Sequence, residues 1–138
     1  DVLVQSLLEP DLPCVHGSAS RLEQVFLNLL VNAKHALAER PAGRIEVVTR
    51  QLGDIVEISV RDDGPGVAEE LRHRIFDPFF TTKGPERGTG LGLSIAFDIV
   101  REHGGVLEFR PTRDGGACFV AHLPALYATD PPSGPTRS

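Results

Sequence analysis

Two glycine-rich segments limit what the middle of this 138-residue chain can form. The first reads Asp-Asp-Gly-Pro-Gly-Val over residues 62–67, and the second reads Gly-Thr-Gly-Leu-Gly-Leu-Ser over residues 88–94. The chain between them contains too much Gly, Pro and Thr to form a helix or a strand throughout. The second segment runs into an apolar helical pattern, so its backbone amides should lie at the positive end of a helix. We therefore expect the two glycine-rich turns and the segment between them to build a loop over a phosphate.

The composition predicts one domain with its own core over residues 1–126, since 41% of all residues are hydrophobic and 24% are charged. Residues 127–138 are rich in Pro, Ser and Thr, which predicts a disordered tail. The net charge of −5 argues against general affinity for nucleic acid or anionic lipid. No apolar run approaches the ~18 residues of a membrane span, and Cys14 and Cys118 lack the spacing of a paired motif. We expect a cytoplasmic domain, whose parent protein can still be membrane-anchored.

Hydrophobic spacing predicts the order of helices and strands. A strand over residues 2–8 precedes a long amphipathic helix, which begins near a capping box of Ser20 and Glu23 and ends near Arg40. Two strands over residues 43–52 and 54–61 form a hairpin. The remaining predicted elements are a short helix over residues 68–74, a helix over residues 91–103 and an antiparallel pair over residues 106–110 and 117–123.

A polar stripe follows the long helix, because Gln24, Asn28, Asn32 and His35 recur at steps of four, four and three residues. Asparagine is a mediocre helix former, so two of them one turn apart need an explanation. One interpretation is a solvated polar flank. The other is a wall of amide groups that faces a bound metal and phosphate.

Asp62 follows a predicted strand and precedes two glycines. A carboxylate in that position can accept a hydrogen bond from an exocyclic amine such as adenine N6, while the glycines let the backbone approach the ring. Taken alone, however, Asp-Asp-Gly-Pro-Gly more often forms an ordinary turn. The second glycine segment is neither a Walker loop nor the dinucleotide-binding GxGxxG pattern.

The segment between the glycines contains two cations, Lys83 and Arg87, that are well placed to reach a terminal phosphate. Phe76, Phe79 and Phe80 are either anchors for the ends of a mobile lid over residues 77–89 or ordinary core aromatics, and the two interpretations are compatible.

Four motifs in order resemble the catalytic, ATP-binding domain of a two-component sensor histidine kinase, most closely the nitrogen-regulation type. They are the N box Asn28-Leu-Leu-Val-Asn32-Ala, the first glycine box over residues 62–66, the F box Phe76-Asp-Pro-Phe-Phe-Thr-Thr-Lys83 and the second glycine box over residues 88–94. The resemblance covers about residues 2–124. It implies a Bergerat-type α/β (α+β) two-layer sandwich, in which a mixed sheet of about five strands has three helices on one face.

The resemblance also implies roles for individual residues. Asp62 would bind the adenine amine, Asn32 would bind Mg²⁺ through its side-chain oxygen, and Asn28 would support the metal or a phosphate. Lys83 would contact phosphate, and Lys34 and His35 are alternatives for a second phosphate contact. Asp63 stands where the family commonly has Asn, which leaves its role open. The other residues expected to line the ATP site are Gly64, Gly66, Phe76, Arg87, Gly88, Thr89, Gly90, Leu91, Gly92 and Leu93.

Asn28 favours a kinase over an ATPase. ATPases of the same superfamily place a Glu four residues before the metal-binding Asn as a general base for water, and an amide cannot take that proton. The resemblance therefore implies slow hydrolysis and transfer of the γ-phosphoryl group to a nucleophile from another domain. An ATPase or serine kinase of the same superfamily, or a module that senses nucleotide without catalysis, remain the alternatives.

The chain lacks the family's phosphoacceptor, a His followed by an acidic residue with Pro five positions after the His. His73 has Pro78 at that offset but is followed by Arg74. We expect the acceptor on a dimerising helical domain that precedes residue 1. The isolated domain should then be monomeric, the parent protein a homodimer, and a response regulator its downstream partner.

Overall fold

The computed structural model describes residues 3–8, 19–38, 42–78, 80 and 91–125. The described elements are strands β1 (Leu3–Leu8), β2 (Arg44–Leu52), β3 (Ile55–Asp62), β4 (Val106–Pro111) and β5 (Ala117–Pro124), helices α1 (Ala19–Ala36) and α2 (Gly92–Glu102), and a 3₁₀ helix (Glu69–Arg74). Within these ranges, no helix combines the length and apolarity that spanning a lipid bilayer requires.

The five strands form one mixed sheet in the order β1-β2-β3-β5-β4. Strand β1 runs parallel to β2, and every other neighbouring pair is antiparallel. Strand β3 is central, and its last residue, Asp62, is paired with Ile45 of β2 on one side and Ala117 of β5 on the other. The sheet therefore holds the backbone of Asp62 from both sides.

Both α-helices pack on one face of the sheet. Apolar residues recur at the helical period along one side of each helix and at every second residue along the strands, so each element has one apolar face to bury. Helix α1 contributes residues at the i, i+4 and i+8 positions of one face, and alternate residues of β2 and β5 face them. The buried residues that form this core include Val25, Leu29 and Ala33 of α1, Leu37 just after it, Ala96, Ile99 and Val100 of α2, and Ile45, Val47, Val60, Leu107, Phe119 and Leu123 of the sheet.

The opposite face of the sheet has a charge cluster around Glu57 of β3, whose side chain is 6% exposed. Arg50 of β2 donates to Glu57 Oε1 from Nε at 2.9 Å and from Nη2 at 2.7 Å. His122 Nε2 lies 3.0 Å from Glu57 Oε2 and donates to it, because a carboxylate oxygen only accepts. Burial opposes ionisation of Glu57, but the hydrogen bonds from His122 and Arg50 outweigh it and lower the pKa of this carboxyl.

The predicted fold class is confirmed, since a five-stranded mixed sheet has its helices on one face. Helix α1 differs at both ends from the prediction. It begins at Ala19, so Ser20 lies within its first turn rather than at the N-cap, and it ends at Ala36, before the predicted end near Arg40. The predicted tail over residues 127–138 and Cys14 lie outside the described residues.

The predicted helix over residues 68–74 is a 3₁₀ helix of six residues with no buried side chain. Of the three helices expected on the sheet, two are therefore α-helices. A helix of six residues that buries no side chain lacks the tertiary packing that stabilises most short α-helices.

Candidate functional site

One stripe of α1 connects the two glycine-rich segments. Asn28, Asn32 and Ala36 recur every four residues on this stripe, and all three are half-buried. At one end, Asn28 Nδ2 donates to the carbonyl oxygen of Gly92 at 3.1 Å. At the other end, a Cβ on Gly64 would lie 2.9 Å from the carbonyl oxygen of Ala36 and 3.3 Å from its Cβ. Asn32 therefore lies between two contacts that join α1 to both glycine segments.

This arrangement separates the members of the predicted polar stripe. Gln24 is exposed, as a solvated flank requires, whereas Asn28 and Asn32 are half-buried and Asn28 contacts the second glycine segment. His35 is half-buried and Lys34 is exposed, and both lie in the last turn of α1. The interpretation as a wall of amides fits Asn28 and Asn32, and the polar-flank interpretation fits Gln24.

Asp62 lies at the Gly64 end of the stripe and is 1% exposed. Its Oδ1 accepts a hydrogen bond from the Gly64 amide at 2.9 Å, and its Oδ2 is also buried. A carboxylate that is sheltered from water and oriented by a backbone amide binds an N–H donor more strongly than an exposed one. Asp62 can therefore recognise a donor such as an exocyclic amine.

Asp63 has a structural role that the sequence left open. Its Oδ1 accepts a hydrogen bond from the Arg44 amide at 2.8 Å, and its own amide donates to the Arg44 carbonyl at 3.3 Å. These two bonds fasten the start of the loop to the first residue of β2. The carboxylates of Asp62 and Asp63 thus bind amides of two different segments.

The first glycine segment needs its glycines for space and for conformation. Any side chain on Gly64 would collide with Ala36. Gly66 adopts φ +74°, a backbone conformation that residues other than glycine rarely adopt. The loop after Asp62 therefore stays close to α1.

The second segment reaches the described part of the chain at Leu91 and Gly92, where α2 begins. The N-cap residue, Leu91, makes no side-chain cap hydrogen bond, and the Ser94 hydroxyl donates to the Leu91 carbonyl at 3.0 Å. Among the described residues, nothing lies within 4 Å of the position that a Cβ on Gly92 would take. The first turn of α2 thus combines amide donors and a positive helix end. Leu91 and Leu93 are both half-buried, and Leu93 packs against the core.

Phe76 packs into the core at the start of the predicted lid. Its ring stacks on Phe97 with centroids 5.0 Å apart and meets the edge of Phe119 at 6.2 Å. Phe80 packs under the Arg74 guanidinium, which lies 4.8 Å from its ring centroid. Both contacts fit the core and the anchor interpretations. The other predicted residues of this region, Phe79, Lys83, Arg87, Gly88, Thr89 and Gly90, lie outside the described residues, as does most of the predicted lid.

The donor set of the site suits a hard cation that takes most of its ligands from elsewhere. In the described ranges, no group of three or more His, Cys, Asp or Glu side chains could hold a metal ion. Asn32 would offer one amide oxygen. Mg²⁺ prefers oxygen ligands and keeps several waters or phosphate oxygens, so a single protein ligand beside a phosphate is compatible with it.

Comparison with known proteins decides the family. Residues 17–126 match the family described as histidine kinase-, DNA gyrase B-, and HSP90-like ATPase. The chain belongs to this family. The two-component sensor PprA of Pseudomonas aeruginosa is 46% identical to it over 115 residues, which are 80% of this chain and 12% of PprA. The sensory histidine kinase/phosphatase NtrB of Rhizobium leguminosarum is 37% identical over 122 residues, which are 78% of this chain and 31% of NtrB.

Solved structures of histidine kinases have the same fold. The mycobacterial sensor histidine kinase MprB matches with a TM-score of 0.79 and 30% identity, over 90% of this chain and 82% of MprB. Histidine kinase ThkA, solved in complex with the response regulator protein TrrA, matches with a TM-score of 0.74 and 31% identity, over 91% of this chain and 34% of that chain. The predicted resemblance is confirmed: this is a catalytic ATP-binding domain of the histidine kinase type.

Sequence reasoning missed two residues of the site. Ala36 has no polar side chain to mark it in the sequence, although its spacing of four from Asn32 places it on the same stripe. The second missed residue is Arg44. Its hydrogen bond with Asp63 has no signal in the sequence, because it depends on how β2 and β3 pair.

Proposed function

We propose that the domain binds Mg-ATP along the stripe of α1 and presents the γ-phosphate to a histidine on a separate helical domain of the parent protein. The observation that supports this most directly is the position of Asn32. It lies between the Gly64–Ala36 contact, beside buried Asp62, and the Asn28–Gly92 hydrogen bond at the start of α2. The site thus offers a donor-binding end and an anion-binding end, joined by amides.

The two ends suggest the orientation of the nucleotide. The adenine amine would donate to Asp62, and the phosphates would extend toward the first turn of α2. Asn28 and Ala36 are eight residues apart on α1, or about 12 Å along its axis at 1.5 Å per residue. This separation is on the scale of a nucleoside triphosphate.

Asn32 would hold the magnesium ion through its side-chain oxygen, and the ion would neutralise charge on the phosphates. Besides supporting the metal or a phosphate, Asn28 would align α1 with the start of α2, because its side-chain amide donates a hydrogen bond to the Gly92 carbonyl. The residues of this site would thus bind and orient the nucleotide, which is the main requirement of phosphoryl transfer.

Transfer to a histidine is favoured over hydrolysis. ATPases of the superfamily have a Glu as general base four residues before the metal-binding Asn; here that residue is Asn28, whose amide cannot take a proton from water. An attacking nucleophile must therefore bring its own reactivity, as a neutral imidazole does. We assign the acceptor histidine to a dimerising helical domain, because no histidine of this chain has the acceptor pattern.

Partners and location follow from the same proposal. The complex of ThkA with TrrA supports a response regulator as the downstream partner. We expect the parent protein to be a homodimer and the isolated domain a monomer. A domain that consumes ATP works where ATP is abundant, so we assign it to the cytoplasm.

The test combines this domain, Mg-ATP and a separately prepared acceptor hairpin of a histidine kinase, and measures acid-labile phosphohistidine on the hairpin. We expect labelling with the parent domain, little with Asn32→Ala, and parental labelling with Gln24→Ala, which alters an exposed residue of the same helix. Steady phosphate release without the hairpin would instead favour an ATPase. Tight ATP binding without labelling of any hairpin would favour a nucleotide-sensing module.

A further inference from the structure

The turn between β4 and β5 packs its backbone directly against the loop that follows Asp62. A Cβ on Gly116 would lie 2.1 Å from the Asp62 carbonyl oxygen and 3.0 Å from Asp63 Cα. In the other direction, a Cβ on Gly66 would lie 2.2 Å from the Gly115 carbonyl oxygen. These contacts involve backbone atoms, so no side-chain rotation could relieve them. The two loops therefore fix each other's position.

Hydrogen bonds stiffen the turn itself. The Gly116 amide donates to the Thr112 hydroxyl at 2.7 Å, and the Thr112 amide donates to the Gly116 carbonyl at 3.3 Å. The Gly115 amide donates to the Thr112 carbonyl at 3.1 Å, and the Thr112 hydroxyl donates to Asp114. Thr112 thus holds Gly116 at a defined distance from Asp62.

The sheet carries this constraint to the site. Asp62 is paired with Ala117, the residue directly after Gly116. A shift of Gly116 must therefore move the Asp62 backbone, and with it the carboxylate that Gly64 orients. The contact between Gly64 and Ala36 leaves the loop little room to compensate on the α1 side.

We propose that Gly116 and Thr112 are positioning residues for base recognition: they set where the Asp62 carboxylate stands and so determine how strongly the domain prefers adenine to a base without an exocyclic amine. This inference rests on the proposed function of Asp62 as the adenine-binding residue. Neither Gly116 nor Thr112 would touch the nucleotide.

The test measures dissociation constants for ATP and for inosine triphosphate, which has an oxygen in place of the adenine amine. The variants are Gly116→Ala and Thr112→Val, and Thr112→Val decides the matter if Gly116→Ala does not fold. Gly105→Ala is the matched control, because its Cβ would lie 2.2 Å from the His122 carbonyl oxygen. That clash strains the same strand pair at its other end, since Val106 pairs with His122 and Pro111 with Ala117.

We expect the parent to bind ATP more tightly than inosine triphosphate. Gly116→Ala and Thr112→Val should each reduce that preference at least about fivefold, because a displaced carboxylate loses much of one charged hydrogen bond. Gly105→Ala should lower the melting temperature and keep the parent's preference.

Two results would overturn the inference, and they differ in what else they overturn. A parent that binds both nucleotides equally would remove the adenine assignment and the positioning role together. A parent that prefers ATP, with folded Gly116→Ala or Thr112→Val variants that keep its full preference, would remove the positioning role alone.

Discussion

Replacing Asp62 with asparagine tests the proposed base-binding end of the site without changing its shape. The side chain is 1% exposed, and its Oδ1 already accepts the Gly64 amide. An asparagine would keep that bond by turning its oxygen toward Gly64, which would put its NH₂ group at the position of Oδ2. The adenine amine would then meet a donor instead of an acceptor. Losing a charged hydrogen bond costs about 1.5–3 kcal/mol, so ATP affinity should fall roughly 10- to 150-fold.

Calorimetric titration with Mg-ATP measures this loss, and Asp63→Asn is its control. Asp63 is the neighbouring carboxylate, but its Oδ1 accepts the Arg44 amide, so its replacement should change ATP affinity less than about twofold. A folded Asp62→Asn variant with the parent's affinity would refute the adenine assignment. An equal loss in Asp63→Asn would assign the effect to the loop as a whole and not to the Asp62 carboxylate, since removing a negative charge should by itself favour an anionic ligand.

Two other predictions concern the outer face of the sheet and the metal. Because the folded-state pKa of Glu57 is below the ordinary value of 4.5, this residue stabilises the fold above that value and loses its contribution as the pH falls through the lower, folded pKa. Urea unfolding of Glu57→Gln should therefore depend less on pH in this acidic range than unfolding of the parent, and identical pH profiles would contradict the role of the Arg50 and His122 hydrogen bonds. For Asn32→Ala, ATP affinity should no longer respond to Mg²⁺, and titrations with and without Mg²⁺ that reproduce the parent's response would remove Asn32 as the ligand.

Local patterns in the sequence predict most of the elements. Alternating β-branched residues and the Gly53-Asp54 turn predict the β2–β3 hairpin, and helical spacing predicts the apolar face of α1. The insertion of β5 between β3 and β4 has no local signal, because it depends on which sheet edges are buried. The 3₁₀ geometry of residues 69–74 depends in the same way on a lack of burial.

In the candidate site too, the sequence predicts local features and not contacts between distant segments. Asn28, Asn32 and Asp62 could be selected because their residue types fit a known chemistry and their spacing is regular. The contacts that bring these residues together could not be predicted from the sequence. They are close contacts between distant parts of the chain: Gly64 against Ala36, Gly116 against Asp62, and the hydrogen bond between Asp63 and Arg44. In the sequence, the glycines of these approaches look like ordinary turn residues.

The most direct test of the central claim is the map of backbone amide shifts that Mg-ATP causes in the NMR spectrum of this domain. The proposed site predicts that the largest changes fall on three segments together, residues 28–36, 62–66 and 91–94, with small changes at Glu57 and His122 on the opposite face of the sheet. Changes confined to one of these segments, or centred on that opposite face, would contradict a single ATP site built on α1.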